Sequence, residues 1–397
     1  MDFDDDARTI GRRVRQIRHS RRKSLVVIAG LAGMSKSHLS RIERGEVALD
    51  RRSETVALAN ALQIAPSELT KLPIPAPADG DTDAAVNAVR RALTAVSRNR
   101  PGGQVLPIDS LQIRVRELLD ALRQCRLADV GAALPALIRD LHTSITAGRD
   151  VAGLLDLAVL LHTQCSHSWL RVMGAGADLR SLATLVARRA AENRDESTTL
   201  GLAVWCDGLV MLAAGDFDLA RAELDAVTVP TNTPESMQLA GMLALCQSLV
   251  AAADKRLTDA DAALDYADEL AERTGESNAY WMGFGPTNVG QWRMATALEV
   301  GDHERAAVIA KSLNPDVHPN RSRQAAYWID YGRALTRLRG RQDAAVMALR
   351  RAEVISPLHT VRNPFVREVL AELVSRSRRD AIGRELRGMA YRAGLSV

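Results

Sequence analysis

The chain has 397 residues, 47% hydrophobic and 25% charged, so it is long enough for two or three domains and is neither a disordered nor a collagen-like polymer. Its net charge of +4 is unevenly placed: residues 8–52 carry 13 Lys or Arg against 3 Asp or Glu, leaving an acidic remainder, the asymmetry expected when one end meets a polyanion. The run Leu25 to Met34 reads as the longest apolar stretch and falls far short of the ~20 residues of a membrane helix, and the acidic opening matches no secretory or transit pattern, so a cytoplasmic protein without a membrane partner is expected.

The first predicted module, residues 1–72, holds five short helices. Ile10, Val14 and Ile17 recur at helical spacing, and Ser24 caps a second helix that turns Leu25, Ile28 and Ala29 inward. Gly33 offers the left-handed backbone of a tight turn, and Ser35 caps a third helix from Lys36 to about Arg44. On that helix Leu39 and Ile42 share one face, which leaves Lys36, Ser37, Ser40, Arg41 and Arg44 pointing outward. Helices near Thr55 to Leu62 and Pro66 to Leu72 complete the module.

Residues 73–83, proline-alternating and then acidic, read as a semi-rigid linker. Residues 84–397 show only helical periodicity, so the fold class is all-α. Cys125, Cys165, Cys206 and Cys246 are too sparse for a disulfide framework and too dispersed for a zinc ribbon, and reduced thiols are expected. Their spacings of 40, 41 and 40 residues read as one packing position repeated, and Gly174, Gly215, Gly301 and Gly340 mark turns of the same period. Helix pairs repeated at this interval predict an α-solenoid with a concave surface.

The segments Ile10-Gly-Arg-Arg-Val-Arg-Gln-Ile-Arg18, Ile28-Ala-Gly-Leu-Ala-Gly-Met-Ser35, Leu39-Ser-Arg-Ile-Glu-Arg-Gly45 and Leu58-Ala-Asn-Ala-Leu62 resemble, in order and spacing, the phage repressor/Cro-type or Xre family of helix-turn-helix regulators. The resemblance implies that the helix after Ser35 enters the major groove of double-stranded operator DNA. Lys36, Ser37 and Arg41 are then the base readers, His38 lies at the groove wall, and Ser35, Ser40, Arg44 and Arg12 line the same interface. Arg41 is the foremost candidate, because a guanidinium can bond guanine O6 and N7 together. The resemblance also implies a structural ion pair between Arg18 and Glu43. The family often has Gln just after the second helix's cap; Leu25 stands there, so a phosphate contact is lost, and Arg12, Arg44, Arg51 and Arg52 are the cations available to replace it.

The body, about residues 111–395, resembles the tetratricopeptide-like sensor halves of Gram-positive regulators, on its helical architecture and on Phe284-Gly-Pro-Thr-Asn-Val289. Seven of the chain's fourteen aromatics fall at Tyr280, Trp281, Phe284, Trp292, Tyr327, Trp328 and Tyr331. With Asn288, Gln291, Arg293 and Asp330 they are either a pocket for a small molecule or peptide or the packed core of the repeats.

His162, Cys165 and His167 have metal-capable side chains but no fourth ligand nearby, and no Walker loop, His-Glu-x-x-His or Gly-x-Ser-x-Gly is present, so no metal, no cofactor and no enzyme is expected. The reading is a homodimeric, ligand-responsive transcriptional regulator, controlled through the separation of its DNA-binding domains. The alternative is a helical-repeat scaffold, or a regulator that binds a protein partner rather than a small ligand.

Overall fold

The computed structural model describes residues 9–70, 80–317, 320–377 and 380–395, and among them every regular element is helical. The N-terminal unit comprises α1 (Ile10–Ser20), α2 (Leu25–Leu31), α3 (Lys36–Glu43), α4 (Arg52–Leu62) and α5 (Pro66–Thr70). Side chains of Thr9, Ser24 and Ser35 accept backbone N–H groups at the starts of α1, α2 and α3, satisfying donors that a helix leaves open. Between α2 and α3 the chain turns at Gly33, whose φ of +66° needs no strain without a Cβ. Val14, Ile28, Leu39, Ile42, Leu49 and Leu58 are fully buried together as its core.

The expected linker 73–83 lies outside the described residues up to position 79, and from Gly80 onward the chain is already helical, so its last four residues belong to the body. The body runs through α6 (Gly80–Ser97), α7 (Ile108–Arg123), α8 (Leu127–Thr146), α9 (Val151–Leu160), a π-helical segment Leu161–His167 and α10 (Ser168–Val172). It continues as α11 (Ala177–Arg194), α12 (Ser197–Ala214), α13 (Phe217–Asp225), α14 (Pro234–Ala253), α15 (Leu257–Thr274), α16 (Pro286–Val300), α17 (His303–Ser312), α18 (Arg321–Thr336) and α19 (Gln342–Ile355). Three short helices close it: α20 (Pro357–Val361), α21 (Pro364–Arg376) and α22 (Ala381–Arg392).

Most body helices pack on a sequence neighbour, as α14 does on α15 and α18 on α19; α6 packs instead on α8 and α11, and α12, α14, α16 and α18 also touch one another in succession and form a continuous row. Left-handed glycines end α12 at Gly215 and α16 at Gly301, as their spacing predicts. The repeated cysteine position is real for three of four residues: Cys206 Sγ approaches the Thr163 carbonyl and Cys246 Sγ the Trp205 carbonyl, each one helix further along the row, and Cys165 is buried in the preceding one. Cys125 differs. It has φ of +59° just beyond α7, a helix end rather than a helix face, so its spacing is coincidental. The helices α12 and α14, each with a mean hydropathy of 1.4, have the length and apolarity of membrane spans and outrun the Leu25 to Met34 stretch; 61% and 89% of them is buried, which makes them core helices of the body.

Candidate nucleic-acid interface

Leu39 and Ile42 anchor α3 to the N-terminal core, and this fixes which side chains face out. Ser35, Lys36, Ser37, Arg41 and Arg44 are exposed, and Ser40 and His38 are half-buried. Among the described residues the side chains of Lys36 and Ser37 make no hydrogen bond or ion pair, so both are available to a ligand. Arg41 lies 3.7 Å from Glu46 at the surface, a pairing weak enough for a phosphate or base to replace. Arg44 is more committed: its Nε donates to Glu46 Oε1 at 2.6 Å, and its Nη1 reaches the Ser40 hydroxyl. Arg44 and Ser40 therefore occupy each other in the free protein. His38 Nε2 stands 3.4 Å from Glu54 Oε1 of α4, turned toward that helix rather than to a groove wall. Arg12 is half-buried on α1.

Arg18 and Glu43 meet as a bidentate pair, with Nε and Nη2 each 2.7 Å from a carboxylate oxygen, and both side chains are buried. The Glu43 carboxylate raises the Arg18 guanidinium above its ordinary value against the opposing effect of burial. The pair ties the end of α1 to the end of α3 and sets the pitch of the exposed face.

A surface adjoining this face is docked on the body, a feature that sequence reading missed. The extended segment Glu46–Asp50 alternates: Val47 and Leu49 enter the N-terminal core, whereas Ala48 joins a core cluster of α18, α19 and α21. Its backbone is satisfied by body side chains, with Arg376 donating to Glu46 O at 2.7 Å, Arg337 to Ala48 O at 2.8 Å and Arg333 to Asp50 O at 2.7 Å. Glu372 accepts the Ala48 N–H at 2.8 Å, and Glu368 accepts that of Ile10 at 2.5 Å. Val56 rests on the turn at Gly215, where a Cβ would clash with it. Burial opposes the charge on Asp50, but Arg333 and Arg337 outweigh it and hold the carboxyl below its usual range. Arg52 bonds Glu299 at 3.1 Å and Arg51 pairs with Glu54, so neither of these two arginines stands ready for DNA phosphate. The sequence signal was present but unreadable: a carboxylate at position 299, 368 or 372 names no partner until the chain is folded.

The aromatic-rich set in the body is divided by the fold. Phe284 is fully buried against Gly241, and Tyr327 donates its hydroxyl to Ala310 O at 2.7 Å within the seam of α16, α17 and α18. Trp328 and Tyr331 flank the same seam, with Arg351 stacked 4.3 Å from the Trp328 ring. Arg293 pairs outward with Asp265 and Asp268 of α15. Trp292 is half-buried on the large core, and Trp281 lies under Arg123 at 5.3 Å. Tyr280 packs on that core too, so the seven aromatics lie in packing contacts spread over two seams, the core alternative of the two, rather than around one shared pocket. Asn288, Gln291 and Asp330 remain: Asn288 Oδ1 accepts from Arg323 at 2.8 Å, Gln291 Nε2 is buried without a partner, and Asp330 accepts from Arg333 at 2.7 Å. His162, read on an ordinary helix, sits instead in the π-helical segment, 2.8 Å from His142 Nε2, with Cys165 and His167 also buried.

A family model described as a helix-turn-helix domain matches residues 9–72. The N-terminal unit is thus a helix-turn-helix domain, a DNA-binding module, followed by an all-helical body. Neither the curated proteins nor the solved structures provide a match to the chain.

Proposed function

We propose that the protein is a dimeric, sequence-specific transcriptional regulator of the Xre type, cytoplasmic and without enzymatic activity, whose tetratricopeptide-like body senses a small molecule or peptide. The observation that carries this reading is the orientation of the docked domain. Lys36, Ser37 and Arg41 face solvent while the adjoining Glu46–Asp50 segment is bound to α18 and α21. A scaffold would have no use for a basic, unobstructed recognition helix presented this way. Dimerisation follows from reach, since one such domain reads a short half-site and two read half-sites ~34 Å apart. Control acts through the docking surface as well as the linker, because an effector that prefers one arrangement of domain and body shifts the population toward it.

The test is retention of sheared genomic fragments by the full chain at near-physiological salt, followed by sequencing. An enriched inverted repeat is expected, lost on Arg41→Ala. Retention without sequence preference, unchanged by that substitution, overturns the reading in favour of a scaffold.

A further inference from the structure

The body closes on itself. Arg362, just after α20, donates to the Met173 carbonyl at 2.7 Å across 189 residues, Leu358 joins the large core, and α18 touches α7. Elements from the beginning and the end of the body therefore meet around an interior. Arg171 of α10 faces it: its side chain is exposed to the solvent inside, and among the described residues it has neither a hydrogen bond nor an ion pair. Arg180, at the start of α11, has a buried Nε with no hydrogen-bond partner. Arg323 of α18 gives its two Nη groups to neutral oxygens, Asn288 Oδ1 at 2.8 Å and Met282 O at 2.6 Å. The Phe-Gly-Pro-Thr-Asn segment thus orients a guanidinium without neutralising it.

These cations sense one another. Burial first, then Arg171, lowers Arg180 and Arg323 each to about 10. Asp330, the carboxylate within electrostatic reach of Arg171, is already committed to Arg333. Two buried histidines border the same arginines: His167, with both ring nitrogens unpartnered, and His359, with Nδ1 unpartnered. Burial and the neighbouring arginines push both rings far below the usual histidine range, so each stays neutral and offers one donor and one acceptor. His167 ends the π-helical segment, an irregularity frequent at functional sites.

Cations gathered without a counter-charge repel one another, and proteins ordinarily supply a carboxylate from the chain. Among the described residues no carboxylate bonds Arg171, Arg180 or Arg323. We infer that this interior is a binding site for a small anion-bearing molecule, a carboxylate or a phosphate, gripped by Arg171, Arg180 and Arg323 with His167 and His359 as hydrogen-bonding neighbours. The planar guanidinium forks match the oxygen spacing of either group. The site also reaches the DNA-binding domain. Arg52, the first residue of α4, lies close enough for its charge to be felt at Arg171 while it bonds Glu299. An anion on Arg171 attracts Arg52 and competes with Glu299, which couples occupancy to docking. This regulatory use rests on the reading as a ligand-controlled regulator; the binding itself does not.

The experiment is calorimetric titration of the full chain with citrate and, separately, with pyrophosphate, against chloride at matched ionic strength. One-to-one binding of one probe is expected, and which probe binds tells carboxylate from phosphate. Arg171→Gln and Arg323→Gln should each weaken it by roughly tenfold or more, the worth of a hydrogen bond to a charged group. Arg90→Gln, in the exposed arginine cluster of α6, should not. In addition, Arg171→Gln should raise the melting temperature of the unliganded protein, because it removes a charge that repels Arg180 and Arg323. Failure of both probes to bind above chloride, or equal binding by wild type and Arg171→Gln, overturns the proposal. Weakening by Arg90→Gln alone also overturns it, by placing the anion on the outer surface. Operator retention without any probe is measured in parallel, so loss of the regulator reading leaves a distinct signature: anion binding intact and sequence preference absent.

Discussion

Glu299 Oε1 accepts the backbone N–H of Ser53 at 2.9 Å, so a carboxylate buried in the helical body caps the first turn of α4 in the DNA-binding domain. The residue at the cap position, Arg51, supplies no side-chain acceptor of its own. Glu368 at Ile10 and Glu372 at Ala48 act similarly. The domain is therefore held by ends of helices and loop amides whose hydrogen bonds the body completes, an interface sensitive to the loss of single groups.

Replacing Glu299 by Ala uncaps α4 and leaves Arg52 without its carboxylate, a loss of about 3–5 kcal/mol for a largely buried pair. Differential scanning calorimetry is expected to resolve two transitions where the wild type shows one, the smaller belonging to the released domain. A single transition with an unchanged midpoint would count against the interface as a structural clamp.

Glu368 gives the interface a pH dependence. Burial raises its carboxyl to about 7, opposed by the amide of Ile10 and the charge of Arg367. A group with a raised folded value stabilises most below its unfolded value of ~4.5, and that contribution is lost as pH rises through 7. Urea denaturation between pH 5 and 8 should show the wild type losing more stability with rising pH than Glu368→Gln. Parallel slopes for the two proteins would refute the assignment.

On the exposed face, Arg41→Ala should cost ~1–3 kcal/mol of discrimination at one base pair with melting temperature unchanged, since Arg41 is exposed and its pairing with Glu46 is a weak surface one. Fluorescence anisotropy against operator and single-base variants measures it. Lys36→Ala should act similarly, and a uniform weakening across all sequences would reassign Lys36 to phosphate.

Arg18→Ala should destabilise the helix-turn-helix unit by about 3–5 kcal/mol, because Glu43 stays buried with its charge unpaired. Arg18→Ala with Glu43→Ala together should recover part of this. A double-mutant cycle on denaturation midpoints gives the coupling, and full additivity would mean that the pair contributes nothing.

Phe284 tests whether the aromatic-rich region is core. Phe284→Ala should cost ~3–5 kcal/mol, as for other large buried side chains, and Gly241→Ala should also destabilise, because a Cβ there lies 2.1 Å from the Phe284 ring. Thermal unfolding checks both. A Gly241→Ala protein as stable as wild type would mean that the ring has room to move and is not locked in packing.

The recognition helix was legible in the sequence because its determinants are local. Ser35 as cap, Gly33 as turn, and Leu39 and Ile42 at helical spacing fix the exposure of Lys36, Ser37 and Arg41 whatever lies elsewhere. The all-helical body and its period near 40 residues were legible for the same reason, since periodicity and left-handed glycines repeat along the chain. Only the tertiary structure decided what the aromatics and the charges do. Tyr327 and Trp328 read alike as core or pocket until α17 and α19 are placed beside them, and Cys125 matched a spacing without sharing its environment. The clamp by Glu299, Glu368 and Glu372 and the uncompensated Arg171 arise between residues up to 358 positions apart. A charged side chain carries no mark of its partner in sequence: its energy depends on distance and burial, and both exist only after the chain has folded.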